Sequence, residues 1–317
     1  MGKENDVVLE YLDSNEYFAD LFNGSYFDGE QVIGAEELAE GSQVYWDNHK
    51  RDTSSRTRDL KKRLKSGNWL RVLAIEHQSS VDYAMAWRHM YYDALEYKRQ
   101  IKELEECKKD GLHHPKERFL GGLTAADKLD PAFTVCLYLG EKPWDGPRSL
   151  RDMMHFERTE ERWEKLFADY HMNLICVNEL TDFSKYHTPL KLLLMLLAHR
   201  GSKRKMKKLL QENSEFQKVD KATAHVAGVL LGVEMAMEKK IEQEGDEINM
   251  CTGLKEWFRE EREEGREEGR EEGRKEGLKS LNDLILKLSE AGRLDDLVRA
   301  AENSTYQEEL LKEYGLV

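Results

Sequence analysis

The sequence predicts an α/β protein whose C-terminal part is all helical. Three observations carry this. Short apolar runs bounded by turn residues have the length and composition of buried strands: "WLRVLAI" from Trp69, "PAFTVCLYLG" from Pro131 and "NLICVNEL" from Asn173. A long helical pattern, 81–106, lies between the first two of them. From Thr188 to Lys240 the apolar spacing is helical throughout.

Taken in order, "SNEYFADLFNGSYFDG" predicts a helix with Ser14 as its N-cap and Tyr17, Phe18, Leu21 and Phe22 on one face. "GAEELAEGS" predicts a short helical or looped excursion. Arg58–Leu64 and Trp69–Ile75 are two short runs separated by "SGN". With Gly67-Asn68 as a two-residue turn they make a hairpin in which Ser66 faces Trp69 and Asp59 faces Glu76. "GEKPWDGPRSL" holds two of the five prolines and is a loop. "PLKLLLMLLAHR" is too short to span a bilayer and predicts a core helix. "REEGREEGREEGRKEG" repeats with period four. Apart from Glu271 and Lys275, its charged i,i+4 neighbours are like-charged, and each glycine costs roughly 1 kcal/mol of helix propensity, so it predicts a marginal helix or a flexible linker. The tail from Leu278 predicts three short helices, the last opened by a Ser304–Gln307 capping box, forming either a helix-turn-helix or a small protein-contact module.

An apolar fraction of 39% supports a core, and 35% charged residues implies long solvated faces. Net charge is −13, so the chain as a whole is no polycation. Charge is uneven, however: Lys50 to Arg71 holds nine cations against two acids. Such a strip suits a polyanionic partner. The four cysteines show neither a zinc spacing nor a disulfide framework. Reduced thiols and an acidic N-terminus without a signal-peptide pattern predict a cytoplasmic protein that does not engage membranes.

The chemistry concentrates where the apolar run Val72–Ile75 ends in Glu-His-Gln. In the predicted hairpin Asp59, Lys61 and Arg63 share a face with Val72, Ala74, Glu76 and Gln78. Opposed carboxylates destabilise a sheet, and a divalent cation offsets the repulsion. Mg2+ or Mn2+ prefers such oxygen ligands. The competing explanation is a solvated Asp59 paired with Arg58 or Lys62 and a Glu76 that merely ends a strand. Elsewhere, His113-His114 lacks a third ligand at metal spacing, His77 alternates to the other face, and no phosphate-binding glycine loop or nucleophile elbow is present.

"NEYFADLFN", "RDLKKRL", "LAIEHQSSVDYAMAWRHMYYDALEYKRQ", "LYLGEKPWDGPRSL" and the REEG repeats followed by a helical tail resemble the recombination-promoting nuclease (Rpn) family, many of whose members are labelled transposases. The resemblance implies a PD-(D/E)XK restriction-endonuclease-like core, a mixed central sheet flanked by helices. It makes Asp59 and Glu76 the motif's metal-binding carboxylates and sets Gln78 where lysine is usual. Gln78 orients water through its amide but supplies no charge. Lys61 is the candidate for a migrated ammonium. Glu16, Arg88 and Tyr92 are further auxiliary candidates, with a simple helix N-terminal acid as the competing explanation for Glu16. Lys98 and Arg99 suit a solvated edge.

The resemblance thus implies Mg2+- or Mn2+-assisted phosphodiester hydrolysis in DNA, serving recombination, mobile elements or defence. Arg56, Arg58, Lys61, Lys62, Arg63 and Lys65 would hold backbone phosphates largely independently of sequence. Two alternatives stay open: a catalytically weak nucleic-acid-binding or regulatory protein, motivated by Gln78, and a homo-oligomeric assembly protein built through the REEG repeat and C-terminal helices. The predicted organisation is a nuclease-like core over 1–187, a helical extension over 188–258, an REEG linker or helix over 259–278 and a helical tail module over 279–317.

Overall fold

The computed structural model describes residues 3–40, 59–75, 82–109, 123–158 and 161–316. Two helices open the chain, α1 (Lys3–Leu12) and α2 (Asn15–Tyr26). α2 follows from its apolar stripe: Phe18, Leu21 and Phe22 are all buried. Ser14 stands at its N-cap, but the hydroxyl makes no capping bond.

The "GAEELAEGS" excursion becomes one 3-10 turn and then a strand, β1 (Leu38–Glu40), which the sequence pattern did not indicate. Three residues are too few for a period to show. β2 (Asp59–Leu64) and β3 (Trp69–Ile75) fall on the two predicted runs. α3 (Met85–Lys109) connects β3 to β4 (Ala132–Tyr138), and a single turn, α4 (Glu161–Glu164), precedes β5 (Asn173–Cys176). The five strands form one sheet in chain order. β1, β2 and β3 are antiparallel, and β3, β4 and β5 run parallel. This is a mixed sheet of the kind a long crossover helix permits.

The hairpin register differs from the predicted one. Asp59 pairs with Leu73 rather than Glu76, and Arg63 with Trp69 rather than Val72, a shift of three residues. Because the shift is odd, Asp59, Lys61 and Arg63 stand opposite positions 73, 71 and 69, and the predicted face shared with Val72 and Ala74 does not form. The turn explains it. Leu64 N donates to Asn68 O, and Gly67 N to Leu64 O, so the loop is Lys65-Ser66-Gly67 and not Gly67-Asn68. Gly67 takes φ +108°, closing a three-residue loop with a left-handed third residue.

α3 covers one face of the sheet, through Lys61–Glu96 and Thr134–Asp93 contacts. α1 and α2 lie on the other, where Lys62 reaches the Asp13 carbonyl and the ring of Phe18. Next come α5 (Leu190–His199), α6 (Lys203–Glu212), β6 (Val219–Asp220), α7 (Lys221–Leu230), α8 (Glu234–Glu244) and β7 (Glu247–Ile248). α5 is the predicted core helix, with six buried leucines. The helical region is broken by β6, which pairs with β7 in a two-stranded ladder. α7 packs on α1, with Tyr11 and Thr223 hydroxyls 2.8 Å apart.

α9 (Met250–Glu290) runs as one helix of 41 residues through the REEG repeats, the helical alternative of the two. The chain forms two compact units, Met1–Leu254 and Lys255–Val317. In the second, the end of α9 joins α10 (Leu294–Glu302) and α11 (Ser304–Glu313) around buried Leu284, Leu288, Ala300 and Leu310. Just after α9, Gly292 takes φ +71° and Arg293 N donates back to Leu288 O in a Schellman-type closure. α11 is capped by Asn303, not Ser304: its side chain accepts from Thr305 N and Tyr306 N. None of the four cysteines is in a disulfide. Among the described residues no helix is long and apolar enough to cross a membrane.

Candidate functional site

The carboxyl ends of parallel strands, with the loops that leave them, form the usual binding edge of an open α/β sheet. Here β3, β4 and β5 end in register at Ile75, Tyr138 and Cys176. β2 is antiparallel to β3, so it begins at that same end, with Asp59 paired to Leu73. The chain therefore brings the backbone of Asp59 and the last residue before Glu76 to one edge. The side chain of Asp59, and the whole of Glu76, His77 and Gln78, lie outside what is described, as do Arg56, Arg58 and His113-His114. Among the described residues no group of three or more His, Cys, Asp and Glu could hold a metal ion.

α3 starts at this edge. Asp82 accepts from Ala84 N at 2.9 Å and from Arg88 at 2.5 Å, which fixes the first turn and aims the guanidinium. Burial opposes the charge on Arg88, but hydrogen bonds with Asp82 and Tyr92 outweigh it and hold its pKa above the ordinary value. Tyr92 packs beside the buried cluster of Met85, Ala86, Cys136 and Tyr138. Tyr83 ties the helix start to the loop after β4 by donating to Asp145 at 3.2 Å. Arg88 and Tyr92 are thus at the predicted edge. Glu16 is not brought to them by any contact: it is an exposed acid in the first turn of α2.

The sheet-facing stripe of α3 is polar, which the sequence pattern did not reveal. His89, Asp93, Glu96 and Gln100 are all buried, at spacings that make one helical face. Glu96 takes Lys61 at 2.5 Å and Arg99 at 2.6 Å. Burial opposes ionisation of Glu96, but the bonds from Arg99 and Lys61 prevail and lower its pKa. Lys61 and Arg99 also sit over the ring of Trp69, at 3.9 and 4.4 Å. Further toward the edge, Thr134 and Tyr170 each donate to Asp93 at 2.5 Å, and the Tyr170 hydroxyl meets His89 Nδ1 at 2.8 Å. Gln100 brackets Asp130, donating to its carbonyl and accepting from its N–H. Four polar residues at 4, 3 and 4 intervals were the available signal.

Three sequence assignments are corrected here. Lys61 is buried in the pair with Glu96, so its ammonium is neither an open phosphate ligand nor a migrated catalytic lysine. Lys62 is buried on the opposite face against Asp13. Arg99 belongs to the Glu96 network and not to a solvated edge. The cause is common to all: long stems bury readily when the charged head finds a carboxylate. Of the predicted strip, Arg63 is exposed and pairs with Asp130 at 2.8 Å, and Lys65 is exposed in the turn.

Residues 60–227, just over half of the chain, match the model of a family described as "Putative transposase, YhgA-like". Neither the curated proteins nor the solved structures gave a match.

Proposed function

The chain belongs to the YhgA-like transposase family, and from that premise we propose that it is a metal-dependent endonuclease hydrolysing phosphodiester bonds in DNA. The observation that carries the proposal is the sheet edge at which β2 begins with Asp59 and β3 ends one residue before Glu76. A mixed sheet flanked by helices is also the architecture expected of a PD-(D/E)XK core.

Two carboxylates suit a hard divalent cation by donor chemistry, so Asp59 and Glu76 are the residues that would hold Mg2+ or Mn2+. When bound, such an ion activates water and stabilises the leaving oxyanion. Gln78 would orient the attacking water through its amide. Arg88, held by Asp82 at the start of α3, is the first described cation along the chain after β3 and would bind a phosphate oxygen.

Plasmid nicking with Mg2+, Mn2+ or EDTA tests the proposal. Wild-type protein should nick with metal and not with EDTA, and Asp59→Ala and Glu76→Ala should each lower the rate by about 100-fold or more. Equal rates in all three proteins would sink the site assignment. A second reading, a DNA-binding protein without catalysis, is motivated by Gln78 in the usual lysine position. It predicts binding with no nicking under any metal.

A further inference from the structure

We infer that α6 is a phosphate-gripping surface that holds the nucleic-acid backbone beside the carboxyl edge of the sheet. The inference rests on the DNA reading above and gives it a contact surface beyond the hairpin strip, two of whose lysines are buried.

The helix reads "KRKMKKLLQE", and Lys203, Arg204, Lys205, Lys207 and Lys208 are all exposed. No acid interrupts those cations within Lys203–Lys208. In a chain of net charge −13, that run is a sharp local reversal of sign. Meanwhile Lys61 and Lys62, two cations of the strip expected to bind phosphate, are buried.

Position supports the assignment. Arg200, three residues before α6, lies 3.7 Å from Glu141. Glu141 is in the loop that leaves β4, so the helix begins beside the strand ends that carry the candidate site. The helix is also anchored: Ser202 caps it by accepting from Lys205 N, and Met206 and Leu210 are buried beneath it. Lys208 is drawn to Glu212 at 3.7 Å, but both are largely exposed, and such a pair contributes little.

The same facts weigh against a lipid surface. An interfacial helix needs an apolar face free to enter the headgroup boundary. Here Met206 and Leu210 already face the protein interior, leaving a polar, cationic outer surface. Such a surface neutralises phosphates without reading bases.

The test is duplex-oligonucleotide binding by fluorescence anisotropy over a salt series, in EDTA to prevent cleavage. Wild-type full-length protein is compared with the variant Arg204→Gln, Lys205→Gln, Lys207→Gln, Lys208→Gln. Glutamine keeps helix propensity, and an unchanged circular dichroism melt serves as the folding control. Single Lys205→Glu and Lys207→Glu variants repeat the test if the fourfold variant melts early. The expected result is weaker binding and a log–log salt slope shallower by about 0.9 for each phosphate no longer neutralised. Unchanged affinity and slope in the folded variants, with wild-type binding and nicking intact, would overturn the α6 assignment alone. Salt-sensitive binding that disappears in the α6 variants, in a protein that nicks under no metal, would uphold α6 and remove the endonuclease reading. No wild-type binding to DNA, or binding only to phosphatidylserine vesicles, would overturn both.

Discussion

At the residue scale, the side chain most informative about this protein is Glu96. It is almost fully buried, yet it stays ionised because Lys61 and Arg99 converge on it from strand and helix. Removing one member of a buried pair leaves the other charge desolvated, which costs more than the pair contributes. Glu96→Gln should therefore lower stability by about 3 kcal/mol, measured as a shift in urea midpoint at pH 7. The pH dependence follows in sign. A carboxylate whose folded pKa is depressed stabilises above its unfolded value, 4.5, and that contribution fades as pH falls from there through the folded value. Wild-type stability should drop more steeply below pH 4.5 than that of Glu96→Gln, and parallel curves would count against the pair. Glu76 stood out in the sequence as the polar ending of the apolar run Val72–Ile75. Glu96 was not, because it sits among charged neighbours on a helix whose burial only the sheet decides.

At the element scale, the β2–β3 hairpin is fixed by Gly67. A Cβ there would stand 2.7 Å from Asp130 Oδ1, and φ is +108°. Gly67→Ala should destabilise the protein by more than about 1 kcal/mol, visible as a lower thermal midpoint. No loss would argue for a different turn. The two runs and the turn between them were readable from sequence. The choice between Gly67-Asn68 and Lys65-Ser66-Gly67 was not, since both place a glycine at a left-handed position. α9 gives the opposite case. A methyl group added at Gly273 or Gly277 would have no neighbour within 4 Å, so alanine meets no clash there. The double Gly273→Ala, Gly277→Ala variant should gain helix stability of about 1 kcal/mol per site, read as a higher midpoint by far-UV circular dichroism. A decrease would mean these glycines are needed for close approach.

At the scale of the whole molecule, the chain has two compact units, each with its own buried apolar cluster. Calorimetry of the full chain should resolve two unfolding transitions, the smaller from 255–317. A single two-state transition would contradict independent units. The helices from α5 to α8 belong with the sheet to the first unit, and they are tied to α1 and α2 by Tyr11 with Thr223 and, just before α5, by Thr188 with Asp20. Composition shifts show where a pattern changes, but not which helix faces close over which strands.

By itself the sequence determined the α/β class, the β2 and β3 runs, the core helix at Leu190–His199 and the conspicuous Glu-His-Gln ending of an apolar strand. These depend on local periodicity, which a short window records. The tertiary structure alone decided the hairpin register, the burial of Lys61 and Lys62, the polar stripe of α3 and the place of α6 beside the sheet edge. Each of those depends on which distant segment supplies a partner or removes water, and a charged residue looks the same in sequence whether it faces solvent or a buried carboxylate.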